Sequence, residues 1–137
     1  MGDRSNIVIV QPDNSRIWLY GHWMGEDNYR VVGEVLSQRL RWNDAPYLAR
    51  MLFDKMTEGS VDQETGFGIS TYMCDNEHFI IVLRPDQTVV LEQYIWGQNE
   101  LTEITPPISF EDFVGIYAYS TSLNDLAVNM GAKLTLA

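Results

Sequence analysis

Phe79-Ile80-Ile81-Val82-Leu83 is a continuous apolar run, with Asp75-Asn76 as turn residues before it and Pro85-Asp86-Gln87 after it. A run this short, rich in β-branched residues and apolar at every position, predicts a strand buried on both faces and therefore central in its sheet. Thr88-Val89-Val90-Leu91-Glu92-Gln93-Tyr94 follows directly across the Pro85-Asp86-Gln87 turn. Upstream, Gly66-Phe67-Gly68-Ile69-Ser70-Thr71-Tyr72 places Phe67, Ile69 and Thr71 in alternation with Gly68, Ser70 and Tyr72, the pattern of a half-buried strand. Three such runs with tight connections predict an antiparallel meander.

Working back toward the N-terminus, Ile7-Val8-Ile9-Val10 and Ile17-Trp18-Leu19-Tyr20 flank Gln11-Pro12-Asp13-Asn14-Ser15, which predicts a hairpin. Asn28 is placed to cap a helix carrying Val32, Val35, Leu36 and Leu40 at helical spacing, with Gly33 weakening it. A second helix has Asp44 at its N-cap and Pro46 in its first turn. Leu48, Met51, Leu52 and Met56 fall on one face, Arg50 and Asp54 on the other, and Gly59 follows as a stop. After Pro106-Pro107, Ser109 caps a short helix with Asp112 as its reciprocal partner and Phe110, Phe113, Val114 and Tyr117 on its apolar face. Asp125 to Met130 fits one or two helical turns, and Lys133-Leu134-Thr135-Leu136 fits either an edge strand or a tail.

The expected fold is α+β: an antiparallel sheet of about five strands with two or three helices packed on one face. No repeat or linker divides the 137 residues, so a single domain over 1–118 is expected, with 119–137 as a C-terminal extension. Folding at this size buries roughly two-thirds of the extended chain's surface, enough for a core without disulfides. Cys74 is the single cysteine, and there is neither a charged apolar leader nor a long apolar run. These features point to a reducing, cytosolic setting and no membrane span.

Charge is distributed unevenly. Through Lys55, seven basic residues face seven acids; from Met56 onward, twelve acids face only Arg84 and Lys133, so the last 82 residues supply the whole net charge of −10. A surface of one sign repels phosphate backbones and attracts basic partners, which argues against direct nucleic-acid binding. It also keeps a protein in solution, a simpler use of the same charge. Glu92, Glu100, Glu103, Glu111 and Asp112 are the candidate contact acids for a basic partner. Trp23 and Trp96, each in a glycine-containing segment just after a strand, are candidate aromatic anchors. Trp18 and Trp42 are assigned to the core.

Residues able to do chemistry are few. His22 follows the second β-run, and His78 closes Cys74-Asp75-Asn76-Glu77-His78 just before the central one. If those strand ends share an edge, His22, His78, Asp75 and Glu77 form an N/O metal set or an acid/base pair, with Arg4 available to hold an anionic substrate. No recognised metal or metalloprotease spacing supports them, and turn formation with backbone hydrogen bonding accounts for the same residues. Cys74 lacks the flanking signature of a nucleophile. Gly66-Phe67-Gly68 lacks the third glycine and lysine of a phosphate loop, so its glycines are read as allowing close packing and no cofactor is expected.

Several segments taken together resemble a group of small proteins encoded by actinobacteriophages and actinobacterial prophages. The resemblance lies in Gly2-Asp3-Arg4-Ser5-Asn6, in Leu19-Tyr20 with His22-Trp23, in Arg41-Trp42 with Asp44 and Tyr47-Leu48-Ala49-Arg50, in Thr65-Gly66-Phe67-Gly68-Ile69-Ser70, and in Asp75-Asn76-Glu77-His78. It runs over most of residues 2–114. It brings no established activity and implies a phage or prophage origin and an accessory role in the host cytosol. The leading expectation is therefore an acidic accessory protein that binds a basic host or defence protein, as a decoy for nucleic acid. The alternative is a small enzyme or metal- or ligand-binding protein with a site of His22, Asp75, Glu77 and His78. A structural, oligomer-forming role is the third reading.

Overall fold

The computed structural model describes residues 2–60 and 62–132. The first two β-rich runs form the hairpin β1 (Ser5–Val10) and β2 (Arg16–Gly21), in register from Ser5 opposite Gly21 to Val10 opposite Arg16. Asp13 accepts hydrogen bonds from the N–H and the hydroxyl of Ser15, and Asn14 takes a left-handed backbone, so the turn is shaped by its own residues. A 3₁₀ turn, Gly25–Asp27, leads into α1 (Asn28–Ser37) and then α2 (Ala45–Met56). Asp44 caps α2 by accepting the Tyr47 N–H at 3.2 Å, as its position predicts. The remaining elements are β3 (Phe67–Ser70), β4 (Ile80–Leu83), β5 (Thr88–Ile95), β6 (Glu100–Glu103), β7 (Ile108–Ser109), α3 (Phe110–Tyr117) and α4 (Leu123–Asn129).

The protein is α+β, but its sheet is mixed. The strand order is β3-β2-β1-β4-β5-β6, with β7 also pairing with β5. β4 runs antiparallel to β5 and parallel to β1, with Val8 beside Val82. The expected meander is thus corrected: β3 pairs with β2 at one edge, and the chain crosses the sheet before returning as β4. All four β4 residues are buried: between β1 and β5 the strand has the helix-side core over Ile81 and Leu83 and the second apolar cluster around Ile80 and Val82. β6 and β7, which the sequence pattern did not reveal, share the outer side of β5.

All four helices pack on one face, over Ile7, Ile9, Leu19, Ile81, Leu83, Val89 and Leu91. In α1 the Gly33 position meets the Tyr117 ring of α3, where a Cβ would overlap it, so the glycine that weakens the helix lets two helices approach closely. The other face buries Val8, Trp18, Ile80, Val82 and Val90, with no helix among the described residues packed over it. Arg16 of β2 reaches past β1 and β4 to Glu92 of β5 in a bidentate pair, both nitrogen–oxygen distances 2.8 Å, with its guanidinium 5.9 Å from the Trp18 ring centre. Glu92, only 4% exposed, is therefore a structural partner of Arg16 and not a surface contact acid.

Local readings differ in three further places. Asn28 begins α1 but does not cap it; its side chain is buried inside the body, with no hydrogen-bond partner among the described residues. Leu40 lies beyond the end of α1 and is exposed, because Arg39 and Arg41 take left-handed backbone conformations that turn the chain away. Ile69 is exposed because β3 is an edge strand. Ser109 accepts the Asp112 N–H at 3.0 Å and starts α3 as expected. Leu123, Leu126, Ala127 and Met130 belong to the helix-side core, so residues through 132 are part of one packed body and the expected boundary at 118 does not divide it. The edge strand considered for Lys133–Leu136 lies outside the described residues.

Replacing Glu92 by Leu leaves a half-buried guanidinium without its partner and is expected to cost about 2 kcal/mol. Adding Arg16→Met is expected to recover most of that loss, since two apolar groups then cover the sheet. Urea unfolding of the two variants checks this; equal losses would mean that the unpartnered guanidinium is not the source of the cost.

Candidate functional site

The segment before β4 is stitched to β1 and the residues before it. The buried Asn6 side chain donates from Nδ2 to the Asp75 carbonyl at 3.2 Å and to Asn76 Oδ1 at 3.1 Å. Glu77 donates its N–H to the Arg4 carbonyl at 2.9 Å, and its carboxylate accepts the Arg4 N–H at 3.2 Å. Asn76 Nδ2 donates to the His78 carbonyl at 2.6 Å. These bonds place the His78 ring against Asp3.

Asp3 is itself held from several sides. Its N–H donates to the His22 carbonyl at 2.6 Å, its carbonyl accepts the Gly25 N–H at 3.0 Å, and Oδ2 accepts the Glu26 N–H at 3.1 Å. Oδ1 forms a close hydrogen bond with His78 Nε2. Gly25 is required here, because a Cβ would overlap both the His78 ring and Asp3 Oδ1. Nε2 is directed at the Asp3 carboxylate, and the other ring nitrogen, Nδ1, lies 3.9 Å from Glu26 Oε1. The hydrogen bond from His78, together with those from the Glu26 and Gly25 backbone, holds the Asp3 carboxyl below the usual carboxylate range against the opposing effect of burial.

His78 lines a cleft of about 320 Å³. Glu26 and Glu77 stand on its side, Tyr94 and Trp96 come from the end of β5 and the turn after it, and the start of α4 at Ser122 closes the far wall. That volume lies at the small end of ligand sites, roughly 300–1,000 Å³. Trp96 is 75% exposed and meets Tyr94 edge to face, with ring centres 4.7 Å apart. The cleft thus offers two carboxylates, an oriented imidazole and two aromatic rings.

The four residues grouped from the sequence are only partly brought together. His78 and Glu77 share the cleft. Asp75 is exposed beside Arg4, with 3.9 Å between Nε and Oδ2, and does not line it. His22 also lies outside the lining, its Nδ1 2.9 Å from the Tyr20 hydroxyl and its ring edge to face with Trp23 at 4.3 Å. Among the described residues no three His, Cys, Asp or Glu side chains are grouped to hold a metal ion. Cys74 is partly buried, with Sγ 3.6 Å from the Ser70 hydroxyl.

The contact acids proposed from the sequence are also dispersed. Besides Glu92, Glu103 pairs with Arg84 and Glu111 with Arg39. Glu100 and Asp112 have no ion-pair partner among the described residues. Glu100 stands opposite Ile95 next to the Trp96 turn, whereas Glu111 and Asp112 lie just past β7, which pairs with the opposite end of β5. Trp23 is exposed, as expected, but outside the cleft. Sequence reasoning missed Asp3, Glu26 and Tyr94. Asp3 lies 75 residues from His78, and no local pattern links such distant partners. No family model matches the chain, and neither a curated protein nor a solved structure matches it.

Because the folded Asp3 carboxyl titrates below its ordinary value, its contribution to stability is complete above the ordinary carboxylate range and is lost as pH falls through the lowered value. Asp3→Asn is therefore expected to be less stable than wild type near neutrality, with the gap closing below about pH 4. Thermal unfolding of both proteins across this range checks it; a gap independent of pH would assign the effect to packing.

Proposed function

We propose that the protein is an acidic binding protein that docks on a basic surface of another protein, with the cleft mouth at Trp96 as the centre of contact. The observation that carries this reading is Trp96, exposed at the rim of a cleft lined by Glu26 and Glu77 and steadied by Tyr94. An exposed aromatic ring beside a concavity is the kind of anchor that dominates interfaces, and nearby carboxylates favour encounter with a cationic partner. Glu100 adds charge beside the same turn. Given the phage or prophage origin that the resemblance implies, the partner in this reading is a host or defence protein, and one that normally contacts nucleic acid would meet carboxylates in place of phosphates. The acids at Glu103 and Glu111, already engaged by arginines, play the smaller part.

A second reading rests on Asp3 and His78. A carboxylate that fixes an imidazole, with the other ring nitrogen free in a cleft, is the arrangement of a general base. Ester or amide turnover abolished by His78→Gln, with binding intact, would favour it.

The test of the leading reading is binding of a lysine- and arginine-rich peptide at low and moderate salt. Wild type is expected to bind in a salt-sensitive manner, Glu100→Gln to associate about twofold more slowly, and Trp96→Ala to dissociate about tenfold faster. Equal binding of an acidic peptide of the same length would overturn the reading.

A further inference from the structure

Resting on that reading, we infer that the cleft is a recognition site for an arginine side chain of the partner, its guanidinium stacked on Trp96 and paired with Glu26. The protein's own arginines show which contacts suit its aromatic rings. Arg16 lies over Trp18, Arg39 over Trp42, and both Arg41 and Arg50 over Tyr47, with guanidinium-to-ring distances of 4.6–5.9 Å. In the first two cases the same guanidinium also binds a carboxylate, Glu92 or Glu111. Trp96 and Tyr94 carry no such cation among the described residues.

The carboxylates around this pair are differently committed. Glu77 already accepts from the Arg4 N–H and lies 3.7 Å from the Arg4 guanidinium. Glu26 has only the 3.9 Å approach of His78 Nδ1, and its carboxylate is exposed to the cleft. Glu26 is positioned by its own backbone, whose N–H is bound to Asp3, so the carboxylate is presented from a fixed turn. The elements that accompany Arg16 and Arg39 elsewhere, a tryptophan ring and a carboxylate, thus both line the cleft, and no arginine of the described residues lies over that tryptophan.

Arginine fits the cleft better than lysine for physical reasons. Its planar guanidinium stacks on an aromatic face, is less strongly hydrated than an ammonium, and can bind a carboxylate through two N–H groups at once. Lysine offers a compact, strongly hydrated charge that gains less from the ring. A partner docking here therefore presents arginine at the centre of its basic surface, and general positive charge around it.

The test uses the whole protein with tetra-arginine, tetra-lysine and uncharged tetra-citrulline peptides, with affinities from isothermal titration calorimetry for every variant and the Trp96 indole N–H signal followed by NMR where Trp96 is retained. Tetra-arginine is expected to bind at least about threefold more tightly than tetra-lysine, and tetra-citrulline to bind least. Trp96→Ala is expected to remove the arginine preference while leaving residual charge-driven binding, and Glu26→Gln to weaken tetra-arginine more than tetra-lysine. Both side chains are exposed, and circular dichroism verifies that the variants fold. Equal affinity for the two cationic peptides, or a preference that survives Trp96→Ala, overturns the arginine site while leaving the basic-partner reading in place. If neither cationic peptide binds, both the arginine site and the basic-partner reading are overturned.

Discussion

Ile80 to Leu83 must be covered on both faces, and the rest of the molecule follows from how that is done. An apolar strand with no polar side satisfies this only between other strands, with packing above and below. Pairing β4 in parallel with β1 puts it there. The parallel arrangement needs a long connection, and the stretch holding β2, α1, α2 and β3 supplies it, laying two helices over one face on the way. On the other face, where no helix of the described residues packs, Val8, Trp18, Ile80, Val82 and Val90 are buried together, and Arg16, lying over Trp18, reaches Glu92 across β1 and β4.

The same pairing creates the cleft. Because β1 and β4 run in the same direction, the residues entering them lie side by side: Asp3 and Arg4 before β1, and Asp75 to His78 before β4. Asn6, Glu77 and Asn76 then tie these segments together through hydrogen bonds that buried polar groups would otherwise lack. His78 meets Asp3 by this route, and the antiparallel return of β5 brings Tyr94 and Trp96 to the same end of the sheet. The cleft is a consequence of strand direction, with Gly25 and its 3₁₀ turn fitted around it.

Net charge and functional charge also separate in the folded protein. Two acids of the C-terminal part are held closely by arginines from the neutral N-terminal part: Glu92 by Arg16 and Glu111 by Arg39. Conversely, Glu26 comes from the neutral part and faces the cleft. Folding places strands from the neutral part, β1 and β2, between strands from the acidic part within one sheet.

Local readings in the sequence succeeded where local physics decides. The turn at Asp13-Asn14-Ser15, the Asp44 and Ser109 caps, the buried run of β4 and the exposure of Trp23 and Trp96 all depend on a residue and its near neighbours. The α+β class followed from their sum. Only the tertiary structure decided that β4 lies beside β1, that β3 forms an edge, that Glu92 is buried, and that Asp3, Glu26 and Trp96 surround His78 while His22 does not. Each of these depends on which of several compatible strands becomes a neighbour, a choice made by covering apolar faces and satisfying buried polar groups across the whole molecule. Periodicity carries the identity of an element; the identity of its neighbour resides in the packing.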